Sequence, residues 1–380
     1  MNILIWSPFL QKVGTTSNVY NLINATTKYS TQELNSIDLI NVFGEWDDYE
    51  FVNKKVKKIS FFNFYFLKKI KKNGFIRSRI FTFLIIILSL FPLIKLLKKK
   101  NYDFFFIHLI TFLPIFLAKF FKNKIKLILH ISGFPKLTYL RSYFWKRNQK
   151  YIYKVICPSF ETQKLFIEKN IFIKKKLAVI KDPHINPSHI IKMKNKANEN
   201  KSELSKNILA IGRLTKQKNY IFLLEVFNKL LTINNNLKLT IVGEGEDKEL
   251  IENKIQSLGI KKFVSLEGYQ KNIYKYLEKS FCYFSASLWE GPDLAMLDAA
   301  FLNVPIICSD CKSGRKEFIK DNIRGYIFKT NDINSAVKTF QIFLMDDQHE
   351  IKRKLVNAKK EVKNFTQFRY YMSLKKILTS

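Results

Sequence analysis

A glycine that ends an apolar run, with two cations close behind it, is a pattern suited to phosphate chemistry. Ile208-Leu209-Ala210-Ile211 runs into Gly212-Arg213-Leu214-Thr215-Lys216-Gln217-Lys218. Glycine at a strand end lets the backbone turn tightly. Arg213 and Lys218 then stand on a loop before a helix, where free amides and the helix dipole add to their charges. Together these make a diphosphate site. The competing reading is a solvated basic loop, since lysine and arginine abound in this chain. Further on, Ser285 to Ala300 joins a strand to a helix. Pro292 suits the first helical turn, and Leu294, Leu297 and Phe301 are expected to form a buried stripe. Glu290 stays in the loop at the carboxyl edge of the sheet, where open α/β sheets bind ligands. Asp298 lies farther into the helix. Carboxylates there can accept hydrogen bonds from sugar and ribose hydroxyls; taken alone, Asp298 would read as a solvated helix residue.

Two other patterns carry less chemistry. Val242-Gly243-Glu244-Gly245-Glu246 follows a strand, but Lys248 stands where a dinucleotide fingerprint needs its third glycine. Its two acidic residues would repel a pyrophosphate, so it reads as a tight strand-to-helix turn. Cys308 and Cys311 form a CxxC with no second pair or neighbouring histidines, which reads as small residues around a strand end rather than a zinc site.

The elements that would hold these residues alternate. Ile3–Trp6 is a short apolar run, followed by a loop through Gly14, Thr15 and Thr16 and a helix pattern from Ser17 to Ala25. Strand patterns recur at 102–108, 125–131 and 154–157, with a helix at 113–121. The Phe-rich basic stretch from Phe51 to Phe66 fits neither element. A polar segment, Lys192 to Asn207, reads as a linker. A second series of strands follows at 207–211, 237–242, 263–266, 281–285 and 304–308, and an amphipathic helix is expected from Val362 to Leu378. Alternation of this kind implies parallel sheets covered on both faces. The 380 residues exceed one ordinary domain.

Charge is the compositional outlier, with 65 basic side chains against 31 acidic and a net charge of +34. Such a field attracts polyanions, either nucleic acid or an anionic membrane leaflet. The aromatics are mostly Phe in apolar runs, and no nucleic-acid-binding signature is present, so no nucleic acid is expected as partner. Ile80 to Ile94 is the most hydrophobic stretch, flanked by Arg77 and Arg79 and by Lys95 to Lys100. It reads as a buried core helix, an interfacial helix on anionic lipid, or a membrane span interrupted by Pro92. The opening residues lack a basic n-region, and a cytoplasmic setting is expected.

In this order, Gly212-Arg213 with Lys218, Val242-Gly243-Glu244-Gly245, Gly268, Glu290-Gly291, Pro305, Ser309-Asp310 and Gly325 resemble the retaining glycosyltransferases of family 4, the group 1 glycosyltransferases. The resemblance runs from about Asn207 to Phe328 and more loosely through the first half. It implies an α/β protein of GT-B type, two Rossmann-like domains facing across a cleft. The domains would be 1–192 on the acceptor side, a linker 193–206, a nucleotide-sugar-binding domain 207–361, and a helix 362–380 packing back on the first domain. It implies catalytic roles for Arg213 and Lys218 on the donor diphosphate and for Glu290 on the sugar. Asp298 would bind ribose where the family usually has Glu, one methylene longer. Gly14 and Thr15 match the Gly-rich loop over the diphosphate. They join Gly212, Gly243, Gly291, Pro292, Asp293 and Leu294 as donor-binding positions. His130, in LILHISGFP, is the candidate histidine near the reacting centre, with Ser132 or Gly133 as alternative alignments. A lone histidine at a strand end is otherwise structural. Asn219 replaces the usual glycine after the lysine.

The implied reaction moves a sugar from a UDP- or GDP-linked donor to a saccharide or lipid-linked acceptor in bacterial surface-polysaccharide assembly, retaining the anomeric configuration. No metal is implied, because no Asp-x-Asp or similar carboxylate pair stands in a strand-end loop and two cations already serve the phosphates. No cofactor beyond the donor is implied, and the anionic inner-membrane surface is the expected partner. A catalytically silent membrane scaffold is the rival the altered Asp298 allows.

Overall fold

Short apolar runs with helices between them build two parallel sheets, each in its own unit. The computed structural model describes residues 1–10, 14–30, 33–62, 75–121, 125–195, 206–291, 293–311 and 314–379. One unit comprises Met1–His184 with Gln367–Ser380, the other Ile185–Thr366.

The first unit holds β1 (Asn2–Trp6), β2 (Ser36–Asn41), β3 (Val56–Ser60), β4 (Phe104–Ile107), β5 (Lys126–His130), β6 (Lys154–Cys157) and β7 (Leu177–Val179), all parallel in the order β3-β2-β1-β4-β5-β6-β7. Parallel strands bury both faces and read as continuous apolar runs, as β4 does in Phe-Phe-Phe-Ile. Helices α1 (Gly14–Tyr29), α2 (Phe75–Lys99), α3 (Phe112–Phe121), α4 (Tyr139–Asn148) and α5 (Phe160–Glu168) connect them. The expected Ile80–Ile94 helix thus runs a turn or more beyond each end.

The second unit holds α6 (Pro187–Asn195), β8 (Asn207–Ile211), α7 (Tyr220–Ile233), β9 (Lys238–Val242), α8 (Lys248–Ser257), β10 (Val264–Leu266), α9 (Tyr274–Glu278), β11 (Cys282–Ser285), α10 (Leu294–Phe301), β12 (Ile306–Ser309), α11 (Arg315–Ile319), β13 (Tyr326–Phe328), α12 (Ile333–Met345) and α13 (Gln348–Val362). Its sheet order is β10-β9-β8-β11-β12-β13, again parallel. Both sheets reverse direction of growth between neighbouring strands, β1/β4 in the first and β8/β11 in the second. Such a switch point opens a crevice at the strands' carboxyl ends.

Two sequence expectations are corrected. The final helix, α14 (Gln367–Leu378), does not begin at Val362. A 3₁₀ turn at Lys363–Phe365 ends on extended Thr366 (ψ 150°), which separates α13 from α14. In α10, Leu297 is buried but Leu294 and Phe301 are only half-buried, because Met296, Asp298, Ala299 and Ala300 are buried as well. That helix is enclosed on most of its circumference rather than along one stripe. α14 packs on α1, where Tyr370, Tyr371, Leu374 and Ile377 join the core of Ile3, Ile5, Val19 and Ile23.

Candidate functional site

The loop after β8 is held by glycine-mediated backbone contacts. Gly212 N–H donates to Val242 O at 3.0 Å, Leu214 N–H to Glu244 O at 2.9 Å, and Gly243 N–H to Gly268 O at 2.8 Å. A Cβ on Gly243 would lie 1.9 Å from the Gly212 carbonyl oxygen, and one on Gly245 2.1 Å from that of Leu214. No side chain fits there. The Gly-Glu-Gly turn is therefore the support against which the Gly212-Arg213 loop is laid. Gly212 has its own reason: a Cβ would meet Lys218 Cε at 2.4 Å, because the lysine stem folds back across it. Asn219 adopts the left-handed conformation (φ 56°), which asparagine tolerates better than most residues. This explains why glycine suits the same position, and the Asn219 side chain adds a bond to Asn331 Oδ1 at 2.9 Å.

Because β8 and β11 are neighbours, residues 72 apart in sequence, such as Gln217 and Trp289, meet at the switch point. Lys218 Nζ lies 2.7 Å from Glu290 Oε1 and 3.8 Å from Asp293 Oδ1. Gln217 Nε2 donates to Trp289 O at 2.9 Å and to Glu290 Oε2 at 3.3 Å. Ser287 Oγ donates to Glu290 Oε1 at 2.9 Å. Glu290 is thus fixed from both loops and is itself buried. Arg213 is exposed, and among the described residues it forms no ion pair, which leaves its charge open to an anion.

Beneath this pair sits a residue that sequence reasoning missed. Arg315, the first residue of α11, is wholly buried. Its guanidinium donates to Asp293, to Ser309 Oγ at 3.0 Å, to Ser287 Oγ at 3.2 Å and to Ser285 O at 3.3 Å. Asp293 also caps α10 through Met296 N–H at 3.4 Å and accepts from the Tyr283 hydroxyl at 3.1 Å. Burial pushes the Asp293 carboxyl up, but Lys218 and Arg315 outweigh it and hold the group well below the usual carboxylate range. Burial likewise pulls the Lys218 ammonium down, and Asp293 with Glu290 more than restores it. Two cations and two carboxylates therefore interlock: Arg315–Asp293 is the fully enclosed foundation, and Lys218–Glu290, with side chains 15% and 9% exposed, lies nearer solvent.

Asp298 is buried, not a solvated helix residue, and with burial itself it raises the pKa of the nearby Tyr274 phenol. Gly291 and Leu294 are half-buried beside Glu290 and Asp293, while Pro292 lies outside the described residues. All four cysteines are buried and free, and burial pushes the Cys308 thiol up to about 12. No metal-binding cluster occurs among the described residues.

The first-half candidates lie in the first unit. Gly14 is exposed and Thr15 half-buried at the start of α1. His130 ends β5 fully buried, its Nδ1 3.0 Å from Nδ1 of His108. Neither Nε2 has a hydrogen-bond partner among the described residues. Gly133 takes a left-handed φ of 71°. Close by in the same core, Asn18 Nδ2 donates to Asp182 Oδ2 at 2.7 Å, a pair no sequence pattern announced.

Burial lowers the His130 pKa to about 4. The unfolded chain binds this proton near pH 6.5 and the folded chain does not. His130's contribution is thus complete above pH 6.5 and is lost as pH falls toward 4, by about 3 kcal/mol. Asp182, raised to about 7 by burial, works in the opposite sense, with stability falling as pH rises from the unfolded carboxylate value toward 7. Urea midpoints followed from pH 7.0 to 4.0 (about half-unit steps resolve the slope) should fall less steeply for His130→Gln than for wild type. Parallel curves would remove His130 as the cause.

Fold and site together define a GT-B protein: two Rossmann-like α/β units, the second with a charged crevice at its switch point. Residues 191–362 match the family model of glycosyl transferases group 1. An uncharacterized glycosyltransferase of Methanocaldococcus jannaschii is 30% identical over 250 residues, covering 60% of this chain and 61% of that protein. The N-acetylgalactosamine-N,N'-diacetylbacillosaminyl-diphospho-undecaprenol 4-alpha-N-acetylgalactosaminyltransferase of Campylobacter jejuni is 28% identical over 239 residues, covering 61% of this chain and 64% of that protein. The match thus spans just under two thirds of these relatives' length. The crystal structure of Anabaena HepE in complex with UDP superposes with a TM-score of 0.72 at 13% identity, over 100% of both chains. These likenesses relate the chain to the group 1 glycosyl transferases and give its fold as GT-B.

Proposed function

We propose that the chain is a retaining glycosyltransferase that moves a sugar from a nucleotide-diphosphate sugar to a saccharide or lipid-linked saccharide in bacterial surface-polysaccharide assembly. The observation that carries this is the Lys218–Glu290 contact at the β8/β11 switch point, with Arg213 exposed on the same loop. Negative charge grows on the leaving diphosphate, where Arg213 and Lys218 act; preorganised donors at such a position are worth several kcal/mol. Positive charge grows on the sugar, where the Glu290 carboxylate acts, and Asp298 takes the ribose. Attack comes from the face the diphosphate leaves, so no enzyme nucleophile is required. A diphosphate arriving beside Lys218 draws that cation away from Glu290 and frees the carboxylate for sugar hydroxyls.

The UDP bound to Anabaena HepE supports a uridine nucleotide. The diphospho-undecaprenol in the Campylobacter relative's name supports a lipid-linked acceptor. Such an acceptor is reached by a peripheral protein at the anionic cytoplasmic face of the inner membrane.

Thermal unfolding with UDP, GDP and their sugar conjugates tests the donor site. A ligand at 100 times its Kd adds about 2.7 kcal/mol of stability. One nucleotide series should raise Tm in wild type and fail to do so in Arg213→Ala, whose exposed side chain leaves the fold intact. If no nucleotide shifts wild type, the donor reading fails and the silent scaffold takes its place.

A further inference from the structure

The first unit presents an apolar surface that none of its own described residues covers. Phe81, Ile85, Ser89, Leu93 and Leu97 are buried at four-residue intervals along α2. Phe83, Ile87 and Phe91 stand two positions farther on, about 200° around the helix, and they are exposed, Phe83 at 63% and Phe91 at 77%. No charged residue interrupts the helix between Arg79 and Lys95. Thr82, half-buried beside this stripe, donates its hydroxyl to the Ser78 carbonyl at 2.8 Å.

The neighbouring helices extend the surface. On α3, Phe112, Phe116 and Phe120 form an exposed line in which successive rings lie 6.2 and 6.1 Å apart. Phe112 also meets Phe144 of α4 at 4.8 Å. Tyr139, Leu140 and Tyr143 are exposed on α4.

We propose that this face of α2, α3 and α4 seats the protein on an anionic lipid bilayer, with α2 lying in the membrane plane. It deepens the peripheral-membrane part of the function proposed above and rests on that setting, not on the transfer chemistry. α2 is long and apolar enough to cross a membrane, but its buried stripe is built into the first sheet's core through Ile85, Leu93 and Leu97. Pulling it across a bilayer would strip that core. An in-plane helix instead keeps the buried stripe on the protein and inserts the opposite one.

Charge selects the occupant. Between Glu50 and Glu161 the sole acidic residue is Asp103, against 24 lysines and arginines. Lys95, Lys98 and Lys99 are exposed at the end of α2, and Arg141, Lys146 and Arg147 on α4. Cations that bracket an apolar stripe match headgroup phosphates around acyl chains. Tyrosines at the rim suit the headgroup layer. A nucleic acid would leave the uncharged centre of the stripe unused, and a second copy would bring the same positive flanks together.

Full-length protein is tested by co-sedimentation with vesicles of equal parts phosphatidylglycerol and phosphatidylethanolamine, and with phosphatidylcholine alone. Wild type should bind the anionic vesicles at low salt and release in high salt. Binding should weaken about fivefold for Lys98→Gln and at least about tenfold for Phe83→Ser with Phe91→Ser. Because these side chains are exposed, both variants should melt like wild type. Four results would overturn the proposal: no binding to anionic vesicles at low salt, equal binding by all variants, resistance to high-salt and carbonate extraction (a span), or a dimer that the Phe substitutions dissolve. Nucleotide-induced Tm shifts in the same variants stay as in wild type. If those shifts are missing in wild type while vesicle binding stands, the donor reading alone has failed.

Discussion

Arg315→Met lowers the unfolding free energy by about 3–5 kcal/mol, although the substituted residue is invisible from solvent. The side chain is wholly buried and donates to Asp293 and to Ser285, Ser287 and Ser309. Its removal leaves a carboxylate in the core with Lys218 Nζ, 3.8 Å away, as its remaining counter-charge among the described residues. Taking one partner from a buried pair costs far more than replacing both with apolar groups. Arg315→Met combined with Asp293→Leu should therefore recover part of the loss, less the helix cap that Asp293 provides (about 1 kcal/mol). Urea unfolding of the two singles and the double measures this. A single-variant loss under about 1 kcal/mol would show that the site does not depend on this ion pair.

The second large effect is catalytic. Lys218→Met should lower kcat by about 10²–10³ with a UDP-sugar donor and a suitable acceptor. The side chain is mostly buried, lies over Gly212, and contacts Glu290 at 2.7 Å. A cation preset in that position acts most strongly when charge develops on the leaving diphosphate. The split between parameters is diagnostic. A fall in kcat and kcat/KM together marks an interaction made in the transition state, whereas a rise in KM alone marks ground-state donor binding. Unchanged kcat would exclude Lys218 from the chemistry. Lys218→Arg should not rescue, because the planar fork cannot follow the path of the lysine stem over Gly212 to one carboxylate oxygen.

Much of the architecture was legible where physics is local. β4 is a continuous apolar run, and β6, β8 and β11 are apolar but for one end residue each, the mark of a strand buried on both faces. The unread strands lack that mark. β3 is Val-Lys-Lys-Ile-Ser on the sheet edge, so its lysines face solvent. β2 carries Asp38, whose burial is explained only by Lys100 Nζ at 2.5 Å and the Tyr102 hydroxyl at 2.6 Å, both from far along the chain. β7 and β13 are three residues each and leave no periodicity to read. At the site, Gly243 was legible as a turn, but its cause, the Gly212 carbonyl pressed against it, is tertiary. Lys218 and Glu290 were legible as separate polar residues at strand ends; their meeting follows from strand order. Arg315 was not legible at all. It is one of 65 basic side chains, and only its burial distinguishes it.

The composition of the first unit sets an order on biogenesis. Its core includes Tyr370, Tyr371, Leu374 and Ile377 from α14, packed with residues of β1 and α1. Those four side chains leave the ribosome more than 360 residues after Ile3 and Ile5. Domains generally fold as units in the order of synthesis, but here the first-made half must wait with an open hydrophobic face while the continuous second unit, Ile185–Thr366, is already whole. Translation thus runs from amino to carboxyl end, and structural completion runs the other way. A nascent first unit with that face still open exposes the kind of apolar surface that chaperones cover.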